Sequence, residues 1–337
     1  MLRLRDKWVW DFWLHPGSDR WHLWFLQADR ALKDEGLRHW NVSHGHATSV
    51  DLVHWTQEGT CFAPAESPAW DDKTVWTGSV IRAGVGGTDG RGLWHLFYTG
   101  TCTAEDGRRQ RIGHATSVDG HAWQRVGNGL VLDLRVEDPV STHYEEHLDG
   151  PWDGRAMRDP WVMPDPSGAG WLMYFTARTN QGDALNARGA IGMARSDDLH
   201  HWTLLPPVYA GGDFGQLEVP QVFAHGGRWY CIFCTAAEHW SATYRERAEQ
   251  GGFGTPVTGT HYLMAESPLG PWHVAEGPFL DGAFPCRRYA GKVVQTGSGL
   301  ALMAFDYWGT DQQFLGTIGA PIPVQCDALT GLLRLQP

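Results

Sequence analysis

Basic runs are scarce in this chain of 337 residues. Lys and Arg number 27 against 38 Asp and Glu, a formal charge of -11, whereas a polyanion partner demands clustered cations that displace counterions from phosphates. Nucleic acid is excluded as a partner on that ground. The densest basic cluster, Arg108-Arg109-Gln110-Arg111, adjoins Glu105 and Asp106 and reads as a solvated turn. Long apolar runs are missing too. No stretch reaches the roughly 18 residues of a membrane span, and the opening MLRLRDKWVWDFW lacks the apolar core and cleavage site of a secretory signal. The expected address is the cytoplasm, with no membrane partner. Cysteine is sparse: Cys61, Cys102, Cys231, Cys234, Cys286 and Cys326 are spread too thinly for a disulfide framework in a reducing compartment. Cys231 and Cys234 lie three apart in a strand-like stretch, so they point to opposite faces and read as core packing rather than half of a zinc site. There is no sustained helical period and no HExxH pattern, and the 17 histidines, His44, His46, His200 and His201 among them, read as structural or surface groups. Nothing calls for a metal or a cofactor.

What the chain does have is aromatic, β-rich sequence that repeats. HATSVDLVHW ends at Trp55, HATSVDGHAW at Trp123, MARSDDLHHW at Trp202 and MAESPLGPW at Trp272, so the pattern recurs roughly every seventy residues. In each, small residues run into a Ser/Asp turn whose side chains can hold nearby backbone, Asp119, Asp197 and Asp198 included, and a Trp then opens the next strand. Before these repeats come aromatic runs at 20–28, 93–101, 171–178 and 228–236, with a fifth at 300–309. One step further upstream stand VWDFWLHP (9–16), VWTGSVIRA (75–83), RDPWVMPD (158–165), EVPQVFAHG (218–226) and YAGKVVQTG (289–297). Five units of three or four strands, punctuated by Gly and Pro, predict an all-β fold. The arrangement that leaves no long open edge is a five-bladed β-propeller of four-stranded antiparallel blades around a central channel, here a single domain over 1–337.

The phase of the repeat then gains chemical meaning. The first strand of each blade lines the channel, and Asp11, Asp159 and Glu218 open the first, third and fourth of these strands. Trp76 and Thr77 hold the matching place in the second, and Tyr289 in the fifth. Three carboxyl groups converging on one mouth are costly unless one is protonated or a substrate spreads the charge. Glycoside hydrolysis uses such a set: one carboxylate attacks or activates water, and a second protonates the departing oxygen. Trp10, Trp13 and Trp76 can offer flat faces to sugar C–H surfaces and N–H groups to hydroxyls.

At these residues the chain resembles glycoside hydrolase clan J, the five-bladed propellers of families 32 and 68 that act on β-fructofuranosides. VWDFW at 9–13 is similar to the nucleophile motif, WTGS at 76–79 to the Trp/Phe-Ser-Gly-Ser segment, RDP at 158–160 to the clan's most specific tripeptide, and QLEVPQVF at 216–223 to the acid/base segment. YAGKVV at 289–294 is similar to a fifth-blade strand of family 68. The resemblance implies Asp11 as nucleophile, Asp159 as transition-state stabiliser and Glu218 as acid/base, working by retention through a fructosyl-enzyme intermediate. It further implies that Arg158, Trp10, Trp76 and Thr77 hold the fructosyl ring, with Gln216 and Tyr289 completing the substrate-binding set. The expected substrate is a small carbohydrate, sucrose or a short fructo-oligosaccharide, with hydrolysis by water and transfer to another sugar. Val219 after Glu218 and Phe12 after Asp11 depart from the family patterns, and a divergent, single-domain member without the appended β-sandwich of family 32 is expected.

Two other readings compete: an inverting α-L-arabinofuranosidase or β-xylosidase of the family 43 type, and a sugar-binding propeller without catalysis. Two segments are expected to rim the pocket, Glu145 and Glu146 with the stretch 147–155, and Glu238-His239-Trp240.

Overall fold

The computed structural model describes residues 1–84, 92–135, 137–146, 156–168, 170–182 and 184–336. The stretch 147–155, expected at the rim, lies outside the described residues. The strands assemble into five antiparallel sheets arranged as the blades of a propeller. Blade I comprises Lys7–Pro16, Trp21–Asp29, Ser43–Ser49 and Thr56–Phe62; blade II Thr74–Ala83, Leu93–Thr101, Arg111–Ser117 and Gln124–Leu132. Blade III comprises Met157–Pro164, Trp171–Arg178, Gly189–Ser196 and Thr203–Tyr209. In blade IV, Glu218–His225, Arg228–Thr235, Thr258–Ala265 and His273–Val274 pair in order, and Asp281–Ala283 adds to the third strand. Blade V is built from Arg288–Thr296, Gly299–Trp308, Ile322–Cys326 and Leu333–Leu335, with Phe314–Ile318 paired to its second strand.

The repeated Ser/Asp turn has one physical basis in three blades. Ser49, Ser117 and Ser196 each accept backbone N–H groups two and three positions on, and Asp51, Asp119 and Asp198 do the same for the residues after them, at 2.8 to 3.2 Å. The side chains thereby replace backbone partners that the turn cannot supply. A strand begins directly after each repeat tryptophan, at Thr56, Gln124, Thr203 and His273.

Large aromatics fill the space between blades. Trp24 of blade I is fully buried and donates its indole N–H to the Gly120 carbonyl of the blade II turn at 2.8 Å. The ring of blades closes where Leu2 exchanges two backbone hydrogen bonds of 2.9 Å with Ile318 of blade V, both side chains buried. All six cysteines are free, and Cys231 and Cys234 pack in the core as expected.

Two expectations need correction. The segment Ala242–Gln250 is an α-helix, capped by Ser241, whose hydroxyl accepts the Tyr244 N–H at 3.1 Å; it carries good helix formers and neither Gly nor Pro. The basic cluster is no solvated turn: Arg111 is buried in a fork to Glu105 (2.6 and 2.7 Å), Arg109 pairs with Asp133 (2.7 Å), and Gln110 is fully buried. Opposite charges nearby let the fold draw this segment inward.

No helix among the described residues is long and apolar enough to cross a membrane.

Candidate active site

Each inner strand breaks register close to its first residues, and these breaks shape the mouth of the channel. The shifts fall between Val9 and Phe12, Trp76 and Gly78, Arg158 and Trp161, Glu218 and Gln221, and Tyr289 and Lys292. The three acids therefore do not share one phase. Glu218 stands at its break, Asp159 one position beyond the equivalent Arg158, and Asp11 two beyond the equivalent Val9. A bulge re-aims the side chains it carries, so residues of different phase reach one space. Asp159, Val219 and Ala290 occupy these bulges at φ of 56°, 54° and 51°, a left-handed backbone that costs a non-glycine residue roughly 1–2 kcal/mol. Blade II uses Gly78 instead, where a Cβ would come within 1.9 Å of the Phe97 carbonyl oxygen.

Asp11, Asp159 and Glu218 all line one cavity of about 600 Å³, together with Trp10, Trp76, Thr77, Arg158 and Tyr289. That volume suits a small organic ligand. Thr77 donates its hydroxyl to Asp11 at 2.6 Å. Asp159 accepts from the Thr176 hydroxyl at 2.8 Å and the Val219 N–H at 3.1 Å, with Arg158 Nε 3.6 Å away. Arg158 also reaches Glu218 Oε1 at 2.7 Å and Gln216 Oε1 at 2.9 Å, and the Tyr289 hydroxyl donates to Glu218 Oε2. Glu218 is thus held from two blades while its side chain stays partly open to the cavity.

Crowding of carboxyl groups has its electrostatic effect on Asp11. Burial, followed by the Asp159 and Glu218 charges, raises its pKa from 3.8 to about 7, against the opposing pull of the Thr77 hydroxyl and Lys292. Asp159 is raised as well, by burial first, with Arg158 countering. Burial pushes the Tyr289 phenol well above 10, so it remains a donor, and lowers His39 to about 3, so that imidazole is neutral.

Two residues expected against substrate lie behind the cavity wall. Trp13 is 1% exposed and packs edge-on against His44 with ring centroids 4.9 Å apart, because ordinary alternation resumes after the bulge and turns it between blades I and II. Gln216, also 1% exposed, braces Arg158. Trp76 lines the cavity, but its indole N–H is committed to the His39 carbonyl at 2.7 Å. At the expected rim, Glu238 lines the cavity, while Trp240 is buried against Phe279 and Glu145 is buried between Arg178 (2.5 Å) and Arg188 (2.9 Å).

Sequence reasoning missed several contributors. Thr99 accepts the Asp159 N–H at 2.8 Å and donates to the Thr77 carbonyl at 3.0 Å, and Gln110 accepts from Met157 N–H and Arg158 at 3.1 and 3.3 Å. Thr99 and Thr176 follow two aromatics in the second strand of their blades, FYT and YFT, a repeat position that could have marked them. Arg38 and His39, from a 3-10 turn between the second and third strands of blade I, and Phe284, Tyr307 and Trp308 around blade V had no motif to announce them. Arg38 is buried over the Phe314 ring at 4.2 Å and donates to the Glu35 carbonyl at 2.7 Å. Among the described residues, no group of three or more His, Cys, Asp or Glu is placed to hold a metal ion.

Comparison with known proteins gives consistent likenesses. The model of the glycosyl hydrolases family 32 N-terminal domain matches residues 14–250. Sucrose-6-phosphate hydrolase of Bacillus subtilis is 29% identical over 211 residues, 60% of this chain and 36% of that protein. Raffinose invertase of Escherichia coli is 31% identical over 223 residues, 64% of this chain and 39% of its own. The matches thus span less than half the length of these relatives. Among solved structures, inulosucrase from Halalkalicoccus jeotgali bound to kestose superposes with a TM-score of 0.73 at 19% identity, over 99% of this chain and 90% of that one. Levansucrase from Gluconacetobacter diazotrophicus gives 0.75 at 16%, over 100% and 82%. At these identities the structures speak for the fold.

Proposed function

The chain belongs to glycosyl hydrolase family 32, and from that membership we propose that its cavity is the active site of a retaining β-fructofuranosidase. The observation that carries the reading is the convergence of Asp11, Asp159 and Glu218 on one sugar-sized cavity walled by Trp10 and Trp76. Asp11 attacks the anomeric carbon of a fructosyl unit while Glu218 gives a proton to the departing oxygen, and a fructosyl-enzyme ester forms. Water, deprotonated by Glu218, then releases fructose; a sugar hydroxyl in its place gives a transfer product. Asp159, braced by Thr176 and the Val219 N–H, is positioned to accept hydrogen bonds from ring hydroxyls. Arg158 and Tyr289 orient Glu218 between the two steps. The cycle needs Asp11 ionised and the site's proton on Glu218, so the raised Asp11 pKa sets the acidic limit of turnover.

Sucrose and short fructo-oligosaccharides are the proposed substrates, and a cytoplasmic address suits the six free thiols. Relatives named for sucrose 6-phosphate add the phosphorylated disaccharide to the compounds to be tried; Arg38, which has no ion pair among the described residues, is the cavity-lining cation a phosphate would meet. The test is incubation with sucrose, sucrose 6-phosphate, short inulin oligosaccharides and an aryl arabinofuranoside, with products separated by chromatography and the first anomer read by NMR. Fructose released as the β-anomer supports the reading. Inversion, or cleavage of the arabinofuranoside alone, overturns it, and binding without turnover would make the chain a sugar-binding propeller.

A further inference from the structure

The chain contains four lysines, Lys7, Lys33, Lys73 and Lys292, and only the last is buried, at 3% exposure. Lys292 follows the bulge in the inner strand of blade V, and its Nζ crosses to blade IV, where the Val219 carbonyl accepts at 2.8 Å and the Pro220 carbonyl at 3.5 Å. The Trp161 ring lies 5.8 Å from the ammonium. Among the described residues no carboxylate comes within ion-pair distance of it. An interior ammonium satisfied only by carbonyls is expensive to desolvate, so its retention calls for a compensating charge.

That charge is the carboxyl cluster. The titratable groups that act on Lys292 come from three blades: Cys234 and Cys231 from blade IV, Asp159 from blade III and Asp11 from blade I, and the two aspartates in turn feel Glu218, with Arg158 beside Asp159. Burial keeps both thiols protonated, pushed up to about 12, so the carboxylates are the anions that matter. Burial also lowers Lys292 itself to about 8, which leaves it charged at the pH where Asp11 ionises.

The second contact is mechanical. Val219, immediately after Glu218, holds a left-handed φ of 54°; its N–H is bound by Asp159 and its carbonyl by Lys292. The strained residue is secured on both sides, and Glu218 leaves the strand from that anchor.

We propose that Lys292 is a positioning residue of this site: its ammonium is the interior counter-charge that lets Asp11 and Asp159 be ionised together, and its hydrogen bond to Val219 fixes the bulge that aims Glu218. The assignment deepens the fructosidase reading and rests on it for its consequence in turnover, but the charge coupling can be read without any substrate.

The experiment is a carboxyl ¹³C NMR titration of the full chain, with the Asp11 signal assigned by its loss in Asp11→Asn. Lys292→Gln keeps a donor for Val219 and removes the charge; Lys292→Met removes both. The Asp11 midpoint is expected to rise by on the order of one pH unit in both variants, and the acidic limb of kcat/KM on sucrose to move with it. At the pH optimum, Lys292→Met is expected to lose at least tenfold more kcat than Lys292→Gln. An Asp11 midpoint unmoved in both variants overturns the counter-charge, and equal kcat losses overturn the clamp. If no fructoside is cleaved by the wild type, the fructosidase reading fails while the titration still decides the coupling. If neither variant folds, the Lys292 ¹³Cε signal is titrated in wild type and Asp11→Asn instead. Coupling is reciprocal, so Lys292 must titrate lower without the Asp11 carboxylate, and identical midpoints overturn the proposal.

Discussion

The Thr77 hydroxyl donates to Asp11 Oδ2 at 2.6 Å across the boundary between blades I and II. This bond favours the charged carboxylate against the burial and the neighbouring acids that oppose it. Thr77→Val, which keeps the shape and removes the donor, is expected to lower kcat/KM on sucrose about tenfold at pH 6 and to shift the acidic limb upward. Thr77→Ser should restore both. A Val variant with an unshifted pH profile would remove the bond from the mechanism.

The Asp11 pKa of about 7 has a second, thermodynamic consequence. The folded-state value lies above the unfolded one, so the associated stability is present below about pH 4 and is lost as pH rises through 7, on the order of 4 kcal/mol in all. Asp11→Asn has no such loss. Its Tm advantage over wild type should grow between pH 5 and pH 8, measured by calorimetry in the same buffers. Parallel Tm curves for the two proteins would contradict the raised value.

Glu218→Gln keeps a partner for Arg158 and Tyr289 but cannot shuttle a proton. Hydrolysis of sucrose should fall at least on the order of 10²-fold, and much less for an aryl fructofuranoside whose leaving group needs no protonation. Equal losses on the two substrates would deny Glu218 the acid's part.

Glu145 tests the distinction between rim and frame. It is 4% exposed and held by Arg178 and Arg188. Glu145→Gln leaves two guanidinium groups short of a counter-charge, and breaking such a buried pair costs about 3–5 kcal/mol. A lower Tm with unchanged preference among leaving groups is expected; altered preference at unchanged Tm would return Glu145 to the pocket edge.

The inner strands were legible because each carries a short motif in phase with a repeat of Ser/Asp turns and tryptophans. That periodicity also foretold that Asp11, Asp159 and Glu218 share a cavity. Finer placement was not legible, because alternation along a strand holds only where the ladder is regular. A bulge of one or two residues separates the phases of Asp11 and Asp159 and turns Trp13 into the core, and no local signal distinguishes Trp13 from Trp10. Gln110 and Lys292 escaped notice for a different reason. Their partners lie 47 to 73 positions away in sequence, so each looks like an ordinary polar residue until the blades are assembled. The 3-10 turn that carries Arg38 sits where blades II, III and IV place short 3-10 turns of their own, at Thr103–Glu105, Leu185–Ala187 and Ala237–His239, but these connections differ in length and sequence, so the repeat does not forecast which side chains they bring to the cavity.

The exchange between Leu2 and Ile318 gives the molecule a seam. Neighbouring blades elsewhere are tethered by the polypeptide itself, whereas the first and fifth meet only through reversible contacts, and the reactive machinery straddles that junction, with Asp11 on one bank and Tyr289 and Lys292 on the other. The latch residue Ile318 pairs with Phe305, itself opposite Tyr289 in the cavity wall, so in the proposed mechanism a bulky fusion that frees Leu2 is expected to loosen the junction between the two banks and lower turnover while most of the sheets stay intact.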